Sequence, residues 1–238
     1  MVENAKHRRA IRLMALLLIC ALSSVSLTIA QTVDSCPATA PADAPALLTA
    51  AEACLEGLGP FYERNSAQAL AYAEAAAAGL DDPADLAHAL DLQAEAHFWL
   101  GNLGQAIARQ TQALLRLPTA DRYLMRAAFM DRVGDTAGAI ADAEQAILLA
   151  PEQLDLYLWL VRYALDHGDD ALALDVAERA AAFAPDDVEV MLLQADAHYA
   201  RADYAAAKAV YERYMTLADS LSPVVVARLA VIERRLGN

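Results

Sequence analysis

The residues of this chain that could carry out chemistry are its histidines and carboxylates, and neither type stands in the pattern of a reactive site. The histidines are His7, His88, His97, His167 and His198. The sequence contains no zinc-binding motif, no phosphate-cradling glycine loop and no Gly-x-Ser-x-Gly elbow. We therefore predict no catalytic residue, no metal site and no cofactor. The alternative is an enzyme or an accessory domain of one, which requires a deep pocket with a strongly perturbed titratable group.

Two cysteines, Cys36 and Cys54, follow the N-terminal apolar run of the chain. Paired cysteines usually form a disulfide in an exported protein. Cys54 lies about ten residues into a predicted helix, about 15 Å along its axis, and the extended segment after Cys36 can run back over that distance. We predict a disulfide between them, which stabilises the fold by about 3 kcal/mol on the chain-entropy estimate. A buried free Cys54 is the alternative.

Residues 1–30 have the pattern of a targeting segment. The basic stretch Lys6–Arg12 precedes the apolar run Leu13–Leu22, and small residues stand at the −3 and −1 positions of a cut before Gln31. We predict a cleaved signal peptide, cut before Gln31 or alternatively after Ser24, and export to the bacterial periplasm. The alternative is an uncleaved inner-membrane anchor formed by residues 13–30, which are barely long enough to span a bilayer.

The net charge argues against nucleic acid as a partner. It is −14 for the whole chain, and removal of residues 1–30 leaves 14 basic and 31 acidic residues, a net charge of −17. Binding to phosphates needs clustered Lys and Arg. An acidic surface of this kind keeps a protein soluble, and its second role is attraction for a basic partner.

A set of residues that repeats after 34 positions organises the chain. The two sets are Gly134-Asp135, Ala139 and Pro151, and then Gly168-Asp169, Ala173 and Pro185. Glycine closes a helix in the left-handed conformation, and aspartate caps the next helix. Alanine allows two helices to pass closely, and proline stops the second helix. A period of 34 residues is typical of stacked helix-turn-helix units.

The same pattern of helix-ending and helix-capping residues continues in both directions, through Gly101-Asn102 upstream and Ala202-Asp203 downstream. The phased set resembles the tetratricopeptide repeat (TPR) family. The resemblance covers four units, at about residues 87–119, 120–153, 154–187 and 188–221. It implies an all-α fold, an α-solenoid of antiparallel helix-turn-helix repeats forming a right-handed superhelix. The early tryptophan position of the family is occupied here by Leu90, Tyr123, Tyr157 and Met191.

Three further segments flank the repeats. Residues 31–45 are predicted to be a proline-rich linker. Residues 46–82 are predicted to form a divergent helix pair, with helices over 46–57 and 66–78 and with Asn65 as the cap of the second. Residues 222–238 are predicted to be a C-terminal capping helix with a polar outer face that includes Arg228. The alternatives for this helix are docking of another protein or homo-oligomerisation.

In the resembling family, the first helices line a concave groove that usually holds a peptide. The candidate binding residues at the corresponding positions are Asp91, Glu95, Phe98, Trp99, Leu124, Asp131, Arg132, Asp155, Trp159, Arg162, Asp196 and Tyr199. Other residues at such positions are Asp121, Met125, Leu158, Leu165, Asp166, Glu189 and Leu192. Tryptophan is a frequent binding anchor, although Trp99 and Trp159 could instead fill gaps between repeats. The many acids make a clamp for a partner's carboxylate improbable.

These features together predict a non-enzymatic adaptor or scaffold in a bacterial envelope complex. The predicted partner is another protein, which presents an apolar and basic segment to the groove. A membrane-tethered assembly factor is the alternative if the leader is retained, and a membrane is a partner only in that case.

Overall fold

The structure is a computed structural model that describes residues 36–56, 62–218 and 222–237. All regular structure in these ranges is helical. The helices are α1 (Ala44–Leu55), α2 (Tyr62–Ala77), α3 (Pro83–Trp99), α4 (Leu103–Arg116), α5 (Ala120–Arg132), α6 (Thr136–Leu149), α7 (Leu154–Asp166), α8 (Asp170–Phe183), α9 (Val188–Ala200), α10 (Tyr204–Leu217) and α11 (Pro223–Leu236). The predicted all-α class is confirmed. The leader predicted at residues 1–30 lies outside the described ranges, within which no helix is long and apolar enough to cross a membrane.

The predicted turn chemistry is present between the helices of the central pairs. Gly134 and Gly168 have φ values of 79° and 73°, in the left-handed region that favours glycine. The side chain of Asp135 accepts a hydrogen bond from the backbone N–H of Gly138, at 2.9 Å. Asp169 caps α8 in the same way through the N–H of Leu172, at 3.0 Å. Glycine therefore ends one helix and aspartate begins the next, as predicted.

The turn between α9 and α10 has the same geometry without glycine. Ala202 has a φ of 59° and is the one non-glycine residue with a positive φ in the described part of the chain. Asp203 still caps α10, accepting from the N–H of Ala206 at 3.4 Å. An alanine in this conformation is strained, because its Cβ lies too close to the following carbonyl oxygen.

Two boundaries near the N-terminus differ from the prediction. Helix α1 begins at Ala44, capped by Asp43, because Pro45 is tolerated in a first turn where its missing N–H would be unpaired anyway. Helix α2 begins at Tyr62, and Asn65 lies buried inside it. The prediction that Asn65 caps this helix is therefore wrong. No glycine or proline separates Tyr62 from Asn65, so nothing stops the helix from starting one turn earlier.

The chain divides into two compact units, one up to Ala146 and the other from Ile147 onward. In the first unit, α1, α2 and α3 share a hydrophobic core. Cys54 is buried in this core and forms the predicted disulfide with Cys36. The carbonyl oxygen of Pro37 accepts hydrogen bonds from the Tyr72 hydroxyl at 2.8 Å and from Nε2 of Gln68 at 3.1 Å. The segment that contains Cys36 and Pro37 is therefore held against both α1 and α2.

Two ion pairs join helices within the first unit. Nη2 of Arg122 on α5 lies 2.9 Å from a carboxylate oxygen of Asp91 on α3, and the Arg122 side chain is almost fully buried. Nε of Arg126 on α5 lies 2.7 Å from the carboxylate of Asp142 on α6. The hydrogen bond to Asp142 is the main cause that raises the pKa of Arg126, against the effect of burial. Both pairs are charge-assisted and bidentate, through Nε and Nη2 of each arginine, which fixes the helices in register.

The core of the second unit reaches its last helix. Met191 and Tyr211 pack with Val225 and Ile232 of α11, and all four are buried. Helix α11 therefore belongs to the packed fold of this unit. Ala173, the small residue that the repeat pattern places at a close helix approach, is 0% exposed.

Candidate binding groove

An open pocket of about 520 Å³ lies in the second unit. Helices α7 and α9, which are the first helices of successive pairs, form two sides of it, and α11 contributes to a third. The residues that line it are Arg162, Leu165, Asp166, Glu189, Leu192, Leu193, Asp196, Tyr199, Ala200 and Arg228. An accessible concavity thus lies along the first helices of two successive pairs, the surface on which the sequence placed the candidate groove.

Apolar side chains form much of the pocket wall. Leu165 comes from α7, and Leu192, Leu193 and Tyr199 come from α9. Leu193 is buried, whereas the other three are partly exposed. Apolar walls with a few placed polar groups are characteristic of sites that bury part of a ligand.

An ion pair crosses the pocket from α7 to α9. The guanidinium of Arg162 contacts the carboxylate of Glu189, and their side chains are 46% and 48% exposed. An ion pair this exposed contributes little to stability, because water screens it and two long side chains must be ordered. Both groups are therefore able to rearrange around a ligand at small cost.

A second, more buried network connects α9, α10 and α11. The carboxylate of Asp196 accepts hydrogen bonds from the hydroxyl of Tyr211 and from the guanidinium of Arg228. Nη1 of Arg228 also lies 3.1 Å from the Tyr211 oxygen. The Arg228 guanidinium carbon stands 5.5 Å from the centre of the Tyr199 ring, within the range of a cation–π contact. Arg228 thus sits between a carboxylate, a phenol and an aromatic face.

The pKa shifts in this network follow from burial and from Asp196. Burial raises the pKa of Tyr211, and the hydrogen bond to Asp196 raises it further, so the phenol stays protonated. Burial alone would lower the pKa of Arg228, but the hydrogen bond and the charge of Asp196 outweigh it and raise that pKa. Tyr211 therefore stays neutral and Arg228 stays charged at physiological pH.

Asp166 differs from the other acids of the pocket. It is exposed at the last position of α7. Within the described ranges, no ion-pair or hydrogen-bond partner contacts its side chain, whereas Glu189 and Asp196 both face an arginine. Asp166 therefore carries the unpaired charge of the pocket.

Three of the twelve candidate binding residues, Arg162, Asp196 and Tyr199, are brought together in this pocket. Four of the other residues predicted at groove positions also line it: Leu165, Asp166, Glu189 and Leu192. Asp155 is exposed at the start of α7, outside the lining, and Leu158 is buried. Arg228 was expected on the polar outer face of α11 but points into the pocket. It follows the buried Val225 by three residues, which on a helix puts it beside the inner face, and this spacing was the available signal.

Trp159 is not among the residues that line the pocket. Its ring stacks on Tyr163 with centroids 4.8 Å apart, and Tyr163 stacks on His167 at 4.1 Å. These three residues follow one another at intervals of four along α7 and its end, so they form a row of rings on one side of the helix.

The aromatic residues predicted for the groove in the first unit pack against each other. Phe98 stacks on Phe129 at 5.2 Å and meets Trp99 edge to face at 5.3 Å. Trp99 also packs against the core of α1, α2 and α3. Arg132 lies over the Phe98 ring at 6.0 Å. Packing between helices therefore accounts for the position of Trp99.

The remaining predicted residues of the first unit are largely enclosed. The carboxylate of Asp91 faces Arg122, as described above, and Glu95 is buried on α3. Leu124 and Asp131 are both half-buried on α5. The structure thus places Asp91 and Glu95 in internal contacts, where the sequence predicted an open acidic surface.

Two histidines, His97 and His88, lie on α3, whereas His7 lies outside the described residues. His97 is buried on α3, and its Nδ1 has no hydrogen-bond partner within the described residues. Burial is the main cause that lowers the pKa of His97, the charge of Arg109 lowers it further, and Glu74 opposes them. His88 contacts Glu52 at 2.7 Å. No group of three potential metal ligands occurs in the described ranges.

Comparison with known proteins connects this architecture to solved structures. No protein-family model matches the sequence, and no curated protein matches it. YrrB, a TPR protein described as having an unusual peptide-binding site, superposes with a TM-score of 0.58 at 14% identity, over 79% of this chain and 92% of that one. A TPR protein from Parabacteroides merdae gives a TM-score of 0.56 at 16% identity, over 79% and 73%. MamA from Desulfovibrio magneticus RS-1 gives 0.56 at 17% identity, over 74% and 97%. The chain has the TPR solenoid fold, as predicted.

Proposed function

We propose that the protein is a non-enzymatic interaction module that holds a segment of a partner protein in the pocket of its second unit. The observation that carries this proposal is the pocket itself, in which first helices present an apolar wall between charged groups. Apolar side chains of the partner would be buried against Leu165, Leu192 and Tyr199. The charged rim would set the register of the segment, because misplaced like charges are costly.

The state of the titratable groups supports binding over catalysis. A general acid or base needs a pKa near the working pH. The pKa of Tyr211 is raised away from neutrality, and both Tyr211 and Arg228 are tied to Asp196. The pocket is also open, whereas reactions usually proceed where water is excluded.

The fold likeness supports the same function by analogy. YrrB is described as carrying a peptide-binding site, and solenoids of this kind use extended concave surfaces for recognition.

We further propose that the protein works in a bacterial envelope, as an adaptor or scaffold of a complex. The basic and apolar pattern of residues 1–30 and the Cys36–Cys54 disulfide both suit an exported protein. Sequencing the N-terminus of the protein isolated from cells tests this. A start at Gln31 or Val25 supports cleavage and export, whereas a start at Met1 supports the tethered alternative.

Site-directed photo-crosslinking tests the binding function. Lys208 is the one lysine after residue 30, so amine-reactive reagents would report almost nothing. A benzoylphenylalanine replaces Ala200 in the pocket or, as a matched control, the exposed Glu178 on α8. The expected result is capture of a partner from the pocket position alone, reduced by Leu192→Ser, which removes part of the apolar wall. Equal capture from both positions, or capture from Glu178 alone, would place the interface elsewhere.

A further inference from the structure

We propose that the pocket recognises a single cationic side chain of the partner segment, an arginine or lysine next to an aliphatic residue, and that Asp166 binds it. This inference rests on the proposed function and names the chemistry of the segment. Three observations support it: the charges of the pocket do not balance, two helices end at the pocket, and the pocket already contains the guanidinium of Arg228.

The charges that line the pocket do not balance. Two arginines face three carboxylates, and the two arginines are neutralised by Glu189 and Asp196. The charge left over is that of Asp166. One positive group on a ligand would complete the balance, and a negative group would add to the repulsion.

The backbone reinforces the negative charge at the same end of the pocket. Helices α7 and α9 run in the same direction, because α8 returns the chain between them. Helix α7 ends at Asp166 and α9 ends at Ala200, and both residues line the pocket. The carbonyl end of a helix carries partial negative charge and favours cations within the last turn.

No contact within the described fold explains the charge of Asp166. A carboxylate at the carbonyl end of a helix opposes the helix dipole. No arginine, lysine or histidine in the described ranges pairs with it. Its carboxylate lines the pocket and is available to a cationic group of a ligand.

The pocket already binds one guanidinium, that of Arg228. A carboxylate, a phenol and the Tyr199 ring surround it. The free part of the pocket repeats the necessary components, with a carboxylate at Asp166 and apolar walls at Leu165 and Leu192. Such walls suit the aliphatic stem of an arginine or lysine whose charged end reaches the acid.

The inference is tested by titrating the protein with three matched peptides. The protein is purified after expression of the full chain. Each is an acetylated, amidated pentapeptide with leucines on both sides of a central arginine, citrulline or glutamate. Citrulline keeps the shape of arginine and removes its charge. Binding is followed by NMR of the backbone amides of α7 and α9 at low ionic strength, because salt screens an exposed charge.

The arginine peptide should shift resonances around Asp166 and bind at least about fivefold more tightly than the citrulline peptide. Asp166→Asn should abolish that difference without lowering the thermal midpoint, because its loss removes no contact within the fold. Glu178→Gln, which removes a charge from an exposed position of α8, should preserve the difference. Asp166→Lys should transfer the preference to the glutamate peptide.

Three outcomes would overturn the inference: equal binding of the arginine and citrulline peptides, tighter binding of the glutamate peptide to the unaltered protein, or no binding of any peptide at millimolar concentration. The proposed function is tested separately. If photo-capture at position 200 succeeds and is unchanged by Asp166→Asn, the pocket binds a partner and only the cation-recognition inference is wrong.

Discussion

Arg228 of the last helix forms an ion pair with Asp196 of α9, inside the pocket that the first helices create. The two residues are 32 positions apart in sequence, so the pair joins α9 to α11. The pair therefore stabilises the packing of α11 in the second unit, and it also shapes the binding surface.

Removing Arg228 should destabilise the protein more than removing an exposed arginine. Arg228→Ala leaves Asp196, whose side chain is 18% exposed, without its cation, and we expect a loss of about 1–3 kcal/mol in the free energy of unfolding. Arg213→Ala is the control, since Arg213 pairs with the exposed Asp186, and it should cost less than about 1 kcal/mol. Urea denaturation measures both, and equal losses would contradict the structural role of Arg228.

Relief of the strained turn should stabilise the second unit. Ala202→Gly removes the Cβ from a residue with a φ of 59°, and we expect a gain of up to about 1 kcal/mol. The reverse change at the equivalent turn, Gly168→Ala, should cost about 1–2 kcal/mol. Thermal denaturation of the two variants should move the midpoint in opposite directions. A fall in the midpoint of Ala202→Gly would contradict the turn geometry.

Loss of the disulfide should destabilise the first unit. Cys36→Ser opens a loop that spans 18 residues, and we expect a loss of about 3 kcal/mol on the chain-entropy estimate. The difference from the unaltered protein should vanish when both are measured in a reducing buffer. A difference that persists there would mean that Cys36 acts through packing and not through the bond.

Acid should destabilise the first unit through His97. Because burial lowers the pKa of His97 in the folded state, the unfolded chain takes up the proton first as the pH falls below about 6.5. The stability associated with neutral His97 is therefore fully present above that pH and declines from there down to the folded-state pKa. Between pH 7.5 and 5.5, the thermal midpoint of His97→Phe should depend less steeply on pH than that of the unaltered protein. An unchanged slope would assign the effect to other groups.

The close approach of helices at Ala173 is also testable. Ala173 is 0% exposed, so Ala173→Trp should overpack the interface and cost about 1–3 kcal/mol. Ala171→Trp on the same helix is the control, since Ala171 is exposed. A thermal midpoint of Ala173→Trp equal to that of the unaltered protein would contradict the phase of the repeat.

The sequence by itself determined the class of fold and the positions of the central turns. Gly134, Gly168 and the aspartates after them act locally, through backbone conformation and capping, so their spacing is enough to predict them. The boundary at Asn65 could not be predicted in the same way. Asparagine caps helices often, but here it lies buried inside α2, and packing outweighed its local preference.

Only the tertiary structure decided which of the candidate binding residues face a pocket. Repeat position alone put Asp91, Glu95 and Trp99 in the same class as Asp196 and Tyr199. Burial and ion pairing depend on residues far away in sequence, such as Arg122 for Asp91 and Arg228 for Asp196. A periodic pattern reports which side of a helix a residue occupies, but contacts between helices decide whether that side is filled by the protein itself or left open to a partner.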